Sequence, residues 1–223
     1  MVDDYRNTVY CQPYSNIGDK KKKLVEKIRK KHPHAKDMHA IIYSNKDIYK
    51  DEFMKIYNHK CAYCGVSSEV ITRSDFEIDH YIYEKSKKFA TKADAGYIEN
   101  LVLACHDCNH DKSSFEFPDE KYKDFYPDEK EIAKTFIRDD KFYIKISEEK
   151  KDDAITNEFY KKLNLGSELH RIDYLLMNMI GLQETMKDKT KTCSELGEAI
   201  QKLHTKRNVM CKNVWGWNCY NQD

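Results

Sequence analysis

Two Cys-x-x-Cys pairs constrain the fold of this 223-residue chain more than any other feature of its sequence. Cys61 and Cys64 form the first pair, and Cys105 and Cys108 form the second after an interval of 40 residues. Each pair can direct two thiolates at one ion, and four thiolates complete a closed tetrahedral zinc site. A closed site has no position for a catalytic water, so we expect this zinc to be structural. The alternatives are two coincidental pairs or a redox-active Cys-x-x-Cys.

The remaining cysteines and the lack of long apolar runs bear on the cellular compartment. The N-terminus carries no apolar signal segment, and no run approaches the roughly 20 apolar residues of a membrane span. We therefore expect a cytoplasmic protein, in which thiols stay reduced and paired cysteines bind metal. The other four cysteines lack the pair spacing and are interpreted as core or incidental thiols: Cys11, Cys193, Cys211 and Cys219.

Charge is balanced over the whole chain but uneven along it. The 39 Lys and Arg residues nearly cancel the 38 Asp and Glu residues, so no net field would attract the molecule to nucleic acid. Residues 19–36 contain nine Lys or Arg, whereas residues 116–131 contain seven acids against three Lys. The first segment is either a local basic face or the solvated side of a helix.

Hydrophobic periodicity divides the chain into three regions and predicts an α+β fold. We expect a helical N-terminal region (1–58), a central region (59–115) and a mostly helical C-terminal region (116–223). The central region is predicted to contain two strands, at 76–82 and 101–104, followed by a helix from Asn109. Outside it we expect helices at about 19–31, 47–58, 127–138, 150–163, 167–186 and 192–207, a strand at 141–147, and an aromatic tail with Trp215 and Trp217 that packs against another surface.

Between the cysteine pairs lie an Asp-His pair and an asparagine, with a second asparagine after the last cysteine. Hydrolysis of a phosphodiester needs a base to activate water, a cation to neutralise charge, and stabilisation of the leaving oxygen. His80 suits the base, since an ordinary imidazole is neutral and basic near pH 7. Asp79 and Asn109 offer oxygen ligands for a cation such as Mg²⁺, and Asn100 is placed to bond across the loop and orient His80. Because neighbouring strand residues point to opposite faces, we expect the strand to end or bulge at this pair.

Each of these residues also has a structural explanation. An isolated Asp-His pair in a strand is usually structural, and an asparagine before a strand is usually a turn residue. Their joint placement within one zinc-binding segment favours a nuclease centre. His106 and His110 are alternative metal ligands or phosphate contacts, with exposed surface residues as the default interpretation. Lys112 is a candidate nucleic-acid-binding residue through a phosphate contact.

Residues 59–115 resemble the HNH endonucleases, whose ββα-metal fold is held by a zinc ion in many members. By position, the resemblance implies that His80 is the general base and that Asp79 and Asn109 hold the catalytic cation. It also makes Asn100 the middle residue of the motif. The cofactors implied are a structural Zn²⁺ and a catalytic Mg²⁺ or Mn²⁺, and the substrate is DNA. Residues 81–85 lack the proline that is common among relatives, which bears on the geometry of the loop.

In its layout the chain also resembles the PtuB-type HNH proteins of Septu and some retron antiphage systems. They share a helical segment before the first Cys-x-x-Cys and a largely helical C-terminal part. This resemblance implies a defence role and an ATPase partner. Two further functions stay open: a stand-alone restriction or homing nuclease, and a zinc ribbon that binds nucleic acid or protein without cutting. Balanced charge and amphipathic C-terminal helices favour a protein partner, so we expect a homo- or hetero-oligomer built on residues 128–207, without membrane association.

Overall fold

The described part of the chain, residues 4–186 and 190–214 of a computed structural model, contains nine α-helices and two two-stranded sheets. In chain order the helices are α1 (Ile17–Lys31), α2 (Met38–Ser44), α3 (Asp51–Ile56), α4 (Lys92–Ala95), α5 (His106–Lys112), α6 (Glu131–Thr135), α7 (Ala154–Lys162), α8 (Glu168–Thr185) and α9 (Thr190–Val214). The strands are β1 (Phe76–His80), β2 (Leu101–Cys105), β3 (Phe136–Arg138) and β4 (Ile144–Ile146).

An antiparallel hairpin followed by a short helix forms the centre of the fold. Strand β1 pairs with β2 in a register that joins Phe76 to Cys105 and His80 to Leu101. Helix α5 begins directly after β2 and packs against both strands. The predicted order of strand, loop, strand and helix is therefore confirmed, and with it the α+β fold class.

The N-terminal region contains α1, α2, a π-helical turn at Lys46–Lys50, and α3. Helix α1 follows the prediction and buries Leu24 and Ile28 in the core. Where the sequence predicted one helix at 47–58, the structure has two elements, the π-helical turn and then α3. Helix α2 is missing from the prediction, since its seven residues bury too few side chains to produce a clear hydrophobic period.

The C-terminal region departs from the prediction at both ends. The helix predicted at 127–138 gives way at Phe136 to β3, which pairs with β4 in a second antiparallel sheet. Pairing with a strand that follows later in the chain overrides the local helical pattern here. Helix α9 begins at Thr190, two residues before the predicted start, and continues to Val214. Helix α8 begins within one residue of its predicted start, and the Ser167 side chain caps it by accepting a hydrogen bond from the His170 N–H.

Aromatic side chains fasten the C-terminal region to the segment that leaves α5. Phe159 of α7 is fully buried, and its ring centroid lies 4.8 Å from that of Phe117 and 5.5 Å from that of Phe115. Phe117 also stacks on Phe125 with centroids 4.7 Å apart. Offset and edge-to-face pairs of this kind each contribute about 0.5–1.5 kcal/mol beyond the area that they bury. The aromatic cluster therefore holds α7 in a defined position next to the central region.

The core is continuous, and it draws on all three predicted regions, from Tyr5 to Ile200. The boundaries predicted at 58 and 115 stay a prediction. None of the described helices is long and apolar enough to cross a membrane. Cys219 and the predicted packing of the tail with Trp215 and Trp217 fall outside the described residues.

We expect Phe159→Ala to lower the free energy of unfolding by about 3–5 kcal/mol, because it leaves a cavity among aromatic rings. Urea titration followed by circular dichroism measures this difference. Ile137→Ala is the matched control, since the side chain on β3 is 45% exposed and its truncation should cost about 0.5 kcal/mol or less. Equal midpoints and slopes for the two variants would contradict the central position of Phe159.

Candidate functional site

Four cysteine thiols converge between the first Cys-x-x-Cys and the start of α5. The Sγ atoms of Cys61, Cys64, Cys105 and Cys108 all lie within 4.8 Å of one another, and the four side chains are buried. The Sγ atoms of Cys64 and Cys105 are 3.8 Å apart. A tetrahedral zinc ion with Zn–S bonds of about 2.3 Å requires S–S separations of about 3.8 Å. The four thiols therefore fit a single structural zinc ion.

Backbone contacts hold the first cysteine pair against β2. The Ala62 N–H donates to the Leu103 carbonyl at 2.7 Å. Gly65 closes the turn after Cys64 with a φ of +84°, and a Cβ at this residue would lie 2.3 Å from the Arg6 carbonyl oxygen. Any side chain at position 65 is therefore opposed both by the backbone conformation and by the N-terminal segment.

A histidine of α8 contacts the cysteine cluster from the C-terminal region. His170 is only 5% exposed and lies next to Cys64. On the next turn, Asp173 pairs with Arg207 of α9, with 2.5 Å between Oδ1 and Nε. Groups that hydrogen-bond to metal ligands orient them and tune the site. The sequence shows His170 and Asp173 three residues apart, but it contains no signal that connects them with the cysteines.

Asp79 lies buried between β1 and α5 with both carboxylate oxygens hydrogen-bonded. Oδ2 accepts from the Tyr63 hydroxyl at 2.6 Å, and Oδ1 accepts from Lys112 Nζ at 3.1 Å. Lys112 Nζ also donates to the His80 carbonyl at 3.0 Å. Burial raises the pKa of Asp79, and the positive charge of Lys112 opposes this increase. The lysine therefore supplies the charge that a buried aspartate requires.

The environment of Lys112 differs from the expected one. Its side chain is fully buried and its ammonium group is bound to Asp79, so it is not available to a nucleic-acid phosphate in this conformation. Lys112 follows Asn109 by three residues, which places both side chains on the face of α5 that packs against β1. We therefore replace the predicted phosphate contact with a role in positioning Asp79.

Glu77 is a site residue that the sequence analysis missed. Its carboxylate accepts a hydrogen bond from Asn109 Nδ2 at 2.5 Å and lies 2.9 Å from His106 Nδ1. Partial burial raises the pKa of Glu77, but the hydrogen bonds with Asn109 and His106 outweigh this effect and the pKa is lowered overall. Strand alternation could have identified Glu77 from the sequence, because Glu77 precedes Asp79 by two residues and therefore shares its face of β1.

His80 ends β1 and lies next to a second histidine that the sequence analysis also missed. The ring centroids of His80 and His39 are 4.3 Å apart. Burial and the nearby His39 lower the pKa of His80 to about 4. The His80 imidazole is therefore neutral near pH 7 and able to accept a proton.

Asn100 is buried and bonds across the loop that follows His80. Its Oδ1 accepts from the Ile82 N–H at 2.8 Å, and its Nδ2 donates to the Ile82 carbonyl at 3.0 Å and to the Ala95 carbonyl at 2.9 Å. All the hydrogen-bonding groups of the amide are therefore used to hold the loop. This is the cross-loop bonding that the sequence analysis expected, while a catalytic role of Asn100 stays a prediction.

The structure brings the predicted cation ligands to one side of the hairpin but gives them different partners. Asp79 is bound to Lys112, whereas Asn109 is bound to Glu77. Carboxylate and amide oxygens are donors that hard divalent cations prefer, so the donor types fit Mg²⁺ or Mn²⁺. Among residues 4–186 and 190–214, only the four cysteines form a group of three or more His, Cys, Asp or Glu side chains close enough for one ion.

A comparison with protein families matches this arrangement. Residues 61–115 match the HNH endonuclease family. The match covers about a quarter of the chain and runs from the first cysteine of the cluster to just beyond α5. No curated protein and no solved structure matched the chain. The HNH module, defined here as residues 61–115, suggests a nuclease, which acts on nucleic acid.

We expect Cys64→Ser to reduce bound zinc from about one ion per chain and to unfold the HNH module, because a closed site loses one of its four ligands. Atomic absorption measures the zinc, and near-ultraviolet circular dichroism measures the packing of the aromatic core. Cys193→Ser on α9 is the matched control and should retain both signals, since this thiol lies outside the cluster. Full zinc content in the Cys64→Ser chain would contradict the assignment.

We expect Lys112→Met to destabilise the HNH module by about 3–5 kcal/mol, because it leaves Asp79 buried without its counter-charge. The double variant with Asp79→Asn should regain part of this loss, and urea titration measures both. Lys134→Met on the surface of α6 is the control and should change little. If the single and double Lys112 variants were equally destabilised, the buried ion pair would not be the cause.

Proposed function

We propose that the chain is a metal-dependent HNH endonuclease that hydrolyses phosphodiester bonds of DNA. One observation carries the proposal: the match of residues 61–115 to the HNH family coincides with a hairpin and helix that bear His80 and Asn109. The histidine ends β1, and the asparagine lies in the first turns of the helix that packs against that strand. An imidazole and an amide oxygen therefore lie on neighbouring elements of one small unit, which supports the proposal.

We assign His80 the role of general base. A positioned base that accepts the proton of the attacking water contributes about 10²–10⁴-fold to the rate. The lowered pKa of His80 keeps the ring neutral, because burial and His39 disfavour the imidazolium form. Asn100 holds the loop directly after His80, and Lys112 holds the His80 carbonyl. Both residues therefore restrict the position of the base.

We assign Asp79 and Asn109 as ligands of the catalytic divalent cation, Mg²⁺ or Mn²⁺. When bound, such an ion neutralises the charge that develops on the phosphate. Tyr63 and Lys112 orient the carboxylate of Asp79, and Glu77 orients the amide of Asn109. The structural zinc is separate from this chemistry, because its four thiolate ligands leave no open position.

Among the finer predictions about biological context, the antiphage role and the ATPase partner have the layout resemblance as their support. An antiphage role, an ATPase partner, an oligomer built on residues 128–207 and a cytoplasmic location all stay predictions. A stand-alone restriction or homing nuclease would share the same chemistry. A zinc ribbon that only binds nucleic acid or protein would not, and a cleavage assay distinguishes it from the proposal.

We expect the wild-type chain to cleave plasmid DNA with Mg²⁺ or Mn²⁺, and His80→Ala to reduce the rate by about 10²-fold or more through loss of the base. Gel electrophoresis of supercoiled plasmid measures the rate, with zinc content checked in each preparation. His34→Ala, at an exposed position between α1 and α2, is the matched control and should cleave like the wild type.

Two outcomes would contradict this proposal. Equal cleavage by the wild type and a zinc-loaded His80→Ala chain would show that another residue is the base. No cleavage by the wild type with either cation, on supercoiled or single-stranded DNA, would favour the binding module.

A further inference from the structure

Tyr43 is a large aromatic side chain that the fold leaves in solvent near His80. Its side chain is 61% exposed on α2, one turn after His39. The rings of Tyr43 and His39 are nearly parallel, at 19°, with centroids 6.1 Å apart, and His39 in turn contacts His80. These three rings form a row in which Tyr43 lies no more than about 10 Å from His80.

Two lysines of the π-helical turn flank this row. Lys46 Nζ lies 3.9 Å from the centroid of the Tyr43 ring. Partial burial and the charge of Lys46 lower the pKa of Lys50, which also lies near Glu77 and Tyr43. Neither lysine forms an ion pair with another residue of the described chain. Even with Asp47 on the same turn, the net charge of the π-helical turn is positive.

A single exposed tyrosine or lysine is ordinary on a protein surface. Here the exposed ring, two unpaired lysines and the candidate base lie together on α2, the π-helical turn and β1. π-Helical turns within helical segments occur frequently at functional sites. An aromatic ring beside cationic side chains is also the combination that holds a single nucleic-acid strand, with the ring stacking a base and the cations binding phosphates.

We propose that Tyr43, Lys46 and Lys50 form a strand-binding face. On this face Tyr43 stacks an unpaired base close to the phosphate at which His80 acts as the general base. The inference rests on the proposed nuclease function and adds a class of substrate to it. The substrate is DNA with single-stranded character at the cleavage site, such as a single strand, a frayed end or a flap.

The spacing and the chemistry of stacking both support an unpaired base. At about 3.4 Å of rise per nucleotide, 10 Å corresponds to at most about three nucleotide steps, so the base and the phosphate belong to the same short stretch of strand. Inside a duplex both faces of a base are covered by its neighbours, and only an unpaired or terminal base can turn onto a protein ring. Lys46 is exposed and flexible enough to leave the Tyr43 ring for a phosphate.

Binding to DNA by the inactive, zinc-loaded His80→Ala chain tests this inference without requiring catalysis. Fluorescence anisotropy is measured with a labelled 20-nucleotide single strand and with the corresponding blunt duplex. We expect tighter binding to the single strand, and a loss of roughly 5- to 150-fold on Tyr43→Ala, which is the range for one stacked base. Tyr43→Phe and Tyr43→Trp should retain binding, since both keep an aromatic face.

Two controls separate stacking and phosphate binding from general effects. Tyr10→Ala removes another exposed tyrosine, which packs near Gly181 of α8, and it should bind like the parent chain. Lys46→Ala and Lys50→Ala should each reduce the slope of log affinity against log salt concentration by about 0.7, the value for one single-strand phosphate contact. Lys161→Ala on α7 should leave that slope unchanged.

Three outcomes would overturn the inference: unchanged single-strand affinity in Tyr43→Ala, equal weakening in Tyr43→Phe, or an equal loss on the duplex. Absence of any DNA binding by the His80→Ala chain would also overturn it. None of these results decides whether the wild-type chain cuts plasmid DNA. Failure of the strand-binding face is therefore distinguishable from failure of the proposed nuclease function.

Discussion

The convergence of four buried thiols is the constraint on which the rest of the structure depends. It joins two chain segments separated by 40 residues and places β1, together with the loop that follows it, inside the closed interval. Ala62 ties the first cysteine pair to β2, and His170 brings α8 against Cys64. Four thiolates in one buried place repel one another unless a cation compensates them. The position of the hairpin and the packing of the long helices are thus both linked to one metal site.

A buried ion pair then sets the geometry of the candidate catalytic centre. Asp79 would be costly to bury alone, and Lys112 offsets that cost by reaching inward from the same helix that carries Asn109. The same ammonium group holds the carbonyl of His80, so His80 and the Asp79 carboxylate are positioned by a single side chain. These contacts restrict the motion of the buried part of the site, around Asp79. Glu77, His80 and Asn109, which lie around it, are half-buried and thus partly exposed to solvent.

The N-terminal region completes the surface around that centre. His39 of α2 lies against His80, while Tyr43 and the lysines of the π-helical turn extend outwards from it. The HNH module therefore contains the candidate catalytic residues, and the preceding helices form the surface beside them. On the opposite side, the aromatic cluster around Phe159 and the ion pair between Asp173 and Arg207 anchor the C-terminal helices. Each flanking region contacts the module through a few specific side chains.

The sequence by itself determined the cysteine cluster, the order of strand, loop, strand and helix, and the motif residues Asp79, His80, Asn100 and Asn109. Ligand spacing and strand alternation are local properties, so they can be read from a single chain. Tertiary structure alone decided that Lys112 turns inward, that Glu77 bonds Asn109, and that His39 and His170 approach from other helices. It also decided that residues 136–138 form a strand, where the sequence predicted a helix. These features depend on contacts between segments distant in the chain, where burial and pairing outweigh local propensity.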